Sequence, residues 1–147
     1  MPPDSSGRID HYSTDFKITI NADQSKQRRN FTAAHELAHY LLHRDLLKEQ
    51  GHLDRLFVTA PASDGYMSFS PRHEVEANNL AAQILMPREK VTEEMVWKNY
   101  DLGEMAKALG VSRAALEVRL RVLGIDLEKE RQREINGRQG YEDEIPF

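Results

Sequence analysis

Thirteen residues, FTAAHELAHYLLH at 31–43, carry three histidines and one glutamate in an otherwise largely apolar run. His35 and His39 are four residues apart. On an α-helix that is about one turn, ~6 Å of axial rise, so both imidazoles leave one face and can converge on one ion. A divalent metal with bonds of ~2.0–2.1 Å to nitrogen fits between them. Glu36 follows the first histidine and stands outside the stack, so it can reach a water on the ion without binding the ion. That is the position of a general base for hydrolysis. Ala34, Leu37, Ala38, Leu41 and Leu42 supply the apolar residues that would pack this helix on a core and turn the histidines inward. His43 extends the column by one more turn, but it lies about 12 Å along the axis from His35, too far to share one ion on a continuous helix. It is expected to hydrogen-bond a ligand from behind or to pack at the helix end.

Two histidines do not complete a site. Metzincins recruit a third by breaking the helix with a glycine three residues after the second histidine. Here that position is Leu42, and Asp45 stands where the third histidine would be. In glutamate-type zincins the third ligand comes from a later helix, and HEVEANN at 73–79 can supply it. Glu74 and Asn78 are at i and i+4, so Glu74 can bind the ion while Asn78 hydrogen-bonds a ligand histidine. Glu76 is the rival to Glu74. It is about 200° around the helix from it, and the two cannot face the same ion. Tyr66 and His73 are candidates for the group that steadies a developing oxyanion.

The elements that must position these residues follow from periodicity. Ile9–Ser13 and Phe16–Asn21 suggest a small hairpin, the second stretch alternating Phe16, Ile18 and Ile20 with Lys17 and Thr19. Ser25 can cap a long helix from about Lys26 to Leu47. Residues 48–70 lose the helical period, and RLFVT and YMSFS read as short strands in a loop-rich excursion that could shape a cleft. Ser70 and Pro71 start a second major helix that Pro87 stops. A third, about Thr92–Tyr100, is amphipathic, and its Trp97 is expected in the core. Asp101 with Glu104, Gly110, Ser112 and Gly124 punctuate two short helices that read as a helix-turn-helix. From Asp126 dense mixed charge predicts a solvated helix or a loose tail.

The 147 residues, 39% of them hydrophobic, suit about one domain. The net charge of −4 gives no global attraction to polyphosphate. No run is long and apolar enough for a membrane span, and no basic-then-apolar leader is visible, so a cytoplasmic protein is expected. Cysteine is absent, which removes thiolate ligands, disulfides and cysteine nucleophiles and leaves any metal to His, Asp and Glu.

RRNFTAAHELAHYLLHRD followed by EVEANNLAAQILMP resembles the ImmA/IrrE family of metallopeptidases, whose pattern is roughly RxRFTxAHELGHxLLH and then ExxANxFAAxLLMP. Flanking segments extend the likeness to about residues 6–125. Departures are Asn30 for Arg, Ala38 for Gly, Leu80 for Phe and Ile84 for Leu. The resemblance implies an α+β, zincin-like minimal metallopeptidase domain, mostly helical with a small antiparallel sheet. The corresponding division is a core at 1–100, the helix-turn-helix-like pair at 101–125 packed on it, and a charged tail at 126–147. It implies zinc on His35, His39 and Glu74, with Glu36 as base. Its implied partner is a helix-turn-helix repressor or an antitoxin-like protein, which a zinc endopeptidase would cleave. The alternatives are a metal-bound partner that binds such a protein without cutting it, and a DNA-binding regulator using Ser112, Arg113, Arg119 and Arg121.

Overall fold

In the computed structural model, residues 5–12, 14–48, 52–55 and 69–143 are described. The chain divides into two compact units, Met1–Leu85 and Met86–Phe147.

The N-terminal unit begins with a hairpin. Strands β1 (Ser5–Tyr12) and β2 (Asp15–Ile20) pair antiparallel from Gly7 opposite Ile20 to Tyr12 opposite Asp15. A third strand, β3 (His52–Arg55), pairs antiparallel with β1 on its other side, giving the order β2-β1-β3. HLDR has neither β-branched residues nor alternation, so its sequence carries almost no strand signal. Of the two strands expected in the following excursion, only Arg55, Phe69 and Ser70 fall within the described residues.

Helix α1 (Lys26–Leu42) starts where Ser25 accepts the Arg28 amide, as its cap position predicts. It is anchored to β1 by Arg28, which donates to the Ser6 hydroxyl at 3.0 Å. Gly7 allows the helix to sit this close: a Cβ there would stand 2.5 Å from the Thr32 methyl and 3.2 Å from the Thr19 carbonyl oxygen. The run expected to continue to Leu47 breaks at His43, whose backbone leaves the helical region at φ −124°, ψ 28°. It then restarts as the short α2 (Arg44–Leu47). Ser70 begins α3 (Pro71–Leu85) by accepting the His73 amide. Helix α1 packs on both α3 and the sheet. Ile9, Leu47 and Phe69 form a buried cluster, flanked by Phe16 and Tyr40.

The C-terminal unit contains α4 (Arg88–Trp97), α5 (Leu102–Leu109), α6 (Arg113–Leu123) and α7 (Leu127–Asp143). Caps fall where the sequence signals them. Asp101 and Ser112 accept the Glu104 and Ala115 amides, and Gly110 and Gly124 take the left-handed conformation at φ 68° and 71° that closes each helix. The expectation for Trp97 is corrected, since its side chain is 76% exposed. The helix starts at Arg88 rather than near Thr92, and its buried stripe runs through Val91 and Met95. Trp97 is about 200° around from Met95 and faces outward. No helix among the described residues is long and apolar enough to cross a membrane.

Candidate metal centre

Helices α1 and α3 meet through small residues. Ala38, Ala77 and Ala81 are fully buried, and their methyl groups let the backbones approach while longer neighbours project around the contact. His35, Glu36 and His39 lie on the buried side of α1. In a bare helical bundle these would be costly, because a buried polar group without a partner loses its hydration for nothing.

The partners come largely from α3. Glu74 places one carboxylate oxygen 3.1 Å from His35 Nε2 and the other 3.4 Å from His39 Nε2, and the two Nε2 atoms are 3.1 Å apart. Three ligand atoms on a tetrahedral ion with bonds of ~2.0–2.1 Å stand about 3.3 Å from one another, so the spacing matches one small divalent ion. The chemistry of the set agrees, since two imidazole lone pairs and a carboxylate converge with no proton donor required between them. His35, His39 and Glu74 could therefore hold a metal.

Each imidazole is held from behind. His35 Nδ1 donates to Asn78 Oδ1 at 2.8 Å, which leaves Nε2 bare. His39 Nδ1 lies 2.9 Å from His43 Nδ1, and His43 Nε2 lies 3.0 Å from Glu76 Oε2. Glu76 also accepts from Arg72 Nε at 3.0 Å. The hydrogen bond from His43, and after it the one from Arg72, holds the Glu76 carboxyl below the usual carboxylate range. Glu76 thus pairs with His43, while Glu74 faces His35 and His39.

Aromatic rings complete the walls. Phe69 lies flat on His39, with centroids 4.1 Å apart and planes 7° from parallel, and Phe31 stacks more loosely on His35 at 6.1 Å. Phe69 carries no local periodicity that would mark it, whereas Phe31 precedes His35 by one helical turn and could have been found by that spacing. His73 packs its ring on His43 at 4.6 Å and on Phe69 at 5.7 Å. Tyr66, the other candidate oxyanion donor, lies outside the described residues. Glu36 is fully buried, so it is not a solvated surface charge. In the C-terminal unit, Arg119 is half-buried and its Nε donates to the Met86 carbonyl at 2.9 Å.

With this geometry established, comparison with known proteins adds the lineage. Residues 3–121 match the family of metallopeptidases described as the IrrE N-terminal-like domain, and the chain belongs to it. No curated protein matches the chain.

Proposed function

From that membership and the site's geometry, we propose that the protein is a zinc-dependent endopeptidase whose substrate is a partner protein, a helix-turn-helix repressor or an antitoxin-like chain. The observation that carries the reading is the convergence of His35 Nε2, His39 Nε2 and the Glu74 carboxylate at 3.1–3.4 Å, with a buried carboxylate, Glu36, next to the first of them.

Zinc held by His35, His39 and Glu74 would supply Lewis acidity toward the scissile carbonyl and toward water. The chain's own residues do the rest. Glu36, buried beside His35, takes a proton from the attacking water and returns it to the leaving nitrogen, so one carboxylate serves as base and then as acid. Asn78 and His43 hold the two imidazoles with Nε2 presented, and Phe69 covers one ring face of His39. Water is thereby limited on that side of the site.

The test uses the purified full chain, zinc and a co-expressed candidate repressor. One zinc per chain is expected in the wild type and in Glu36→Gln, and a cut partner with the wild type only. The variant should be slower by about 10²–10⁴-fold. Equal cutting by the two proteins, or stable co-elution with no cut product from the zinc-loaded wild type, would sink the enzyme reading.

A further inference from the structure

We propose that His43 and Glu76 form a directional hydrogen-bond relay that fixes His39 in the tautomer able to bind metal, making both of them positioning residues. The inference rests on the metal-site reading above and deepens it.

The direction follows from the end of the chain. Glu76 is a carboxylate that accepts from Arg72 Nε and, at 3.0 Å, faces His43 Nε2. A carboxylate accepts, so His43 carries its proton on Nε2. A neutral imidazole then has a bare Nδ1, and that atom is 2.9 Å from His39 Nδ1. His39 must donate there, so its proton is on Nδ1 and its Nε2 lone pair points to where His35 and Glu74 converge. With both imidazoles neutral, reversing either bond alone would place two protons or two lone pairs face to face. The relay is therefore set at one end by an acid and read at the other as a ligand.

Geometry explains why this arm differs from the one behind His35, which ends after one step on the Asn78 amide oxygen. His39 is fully buried and cannot obtain an orienting partner from water. The relay carries the acceptor outward by one imidazole, to Glu76 at 40% side-chain exposure and Arg72 at 86%. His43 reaches this position one turn beyond His39, its own N–H still bonded to the His39 carbonyl where α1 ends. The column of histidines is thus two ligands and one connector.

The readout is zinc affinity, by competition with a chromophoric chelator, and the visible spectrum of the cobalt-substituted protein. His43→Phe and Glu76→Ala should each weaken zinc by about 10–100-fold and alter the cobalt bands. His43→Gln, whose side-chain carbonyl can accept from His39, should recover most of the loss. The double variant His43→Phe/Glu76→Ala should be no weaker than His43→Phe alone, because both break one chain. Should the variants fail to fold, the wild-type zinc protein still decides, through histidine nitrogen–proton correlation spectra. Those must show the proton on Nδ1 of His39 and on Nε2 of His43. Wild-type affinity in both single variants, or a proton on Nδ1 of His43, overturns the relay while leaving the metal site intact. Failure of the wild type to bind zinc at all, with His39→Ala indistinguishable from it, overturns the site reading and the relay with it.

Discussion

Two helix pairs in this molecule bury opposite kinds of side chain. Between α1 and α3 the buried set includes His35, Glu36 and His39, whereas α5 and α6 bury Met105, Ala106, Leu109, Leu116 and Leu120. In α5 and α6 the side-chain hydrogen bonds that shape the helices sit at their ends, on Asp101 and Ser112. In the other pair they run through the interior, from Asn78 to His35 and from His39 through His43 to Glu76. Burial of apolar area holds the α5–α6 pair together without any ligand. In the α1–α3 pair polar groups converge where an ion could bind, so part of its stability is expected to reside in that ion.

The largest effect that sharpens the contrast comes from emptying the apolar pair. Leu116 is fully buried, and Leu116→Ala should lower stability by about 2–5 kcal/mol, read as a denaturant midpoint. Zinc stoichiometry measured below that midpoint should stay at the wild-type value. Next in size is removal of metal. With free zinc about 100-fold above its dissociation constant, the ion adds about 2.7 kcal/mol, which chelation should remove. Hydrogen exchange should quicken in α1 and α3 and leave the amides of α5 and α6 as they were. Uniform quickening through all four helices would break the comparison, because it would make the ion a global staple.

The legibility of the two pairs in the sequence differs for the same reason. Caps and helix stops are local, so Asp101, Gly110, Ser112 and Gly124 could be placed from neighbouring residues alone. The candidate ligands on α1 were also local, a four-residue spacing within one turn. Glu74 over Glu76 could be argued only from which face Asn78 shared, and the pairing of Glu76 with His43 spans 33 residues, which no periodicity reports. Phe69 lay beyond reach because its stacking on His39 joins residues 30 positions apart, which no local pattern reports. The expectation for Trp97 failed because the inferred helix left out Val91, which with Met95 marks the buried stripe that Trp97 lies opposite. The resemblance in HELAH and EVEANN supplied the fold class; β3 escaped because HLDR lacks the alternation that marks a strand.

Ser112→Ala removes a cap without touching the buried residues of either helix pair. The cost should be about 1 kcal/mol in thermal or denaturant unfolding, with zinc affinity unchanged. Ser112→Asn should restore most of it, because its side-chain oxygen can accept the Ala115 amide in the same way. A loss of zinc affinity in Ser112→Ala would show that the capped pair and the histidine site are not energetically separate.

The smallest effect belongs to a polar contact at the surface of the C-terminal unit, the hydrogen bond that Tyr100 donates to Glu134. Tyr100 follows Asn99 in the left-handed region, at φ 61° after φ 51°, where the chain turns after α4. That bond, together with the Arg138 charge, holds Glu134 below the usual carboxylate range. The same bond, then desolvation, raises the Tyr100 phenol above its own. The signs bound a window. A depressed carboxylate contributes above its unfolded pKa and loses that contribution as pH falls through the lower folded value. A raised phenol contributes below its unfolded pKa, near 10, and loses it as pH rises through the higher folded value. The difference in melting temperature between the wild type and Tyr100→Phe should therefore be small and flat across neutral pH, and it should close in acid as Glu134 takes up its proton. Since Glu134 is a surface group, added salt should shrink the part owed to Arg138 and leave the hydrogen bond. A difference that grew in acid would place the stabilising proton on the wrong partner. That would mean this contact behaves like the interior network of α1 and α3, where the direction of each proton decides what the neighbouring atom can bind.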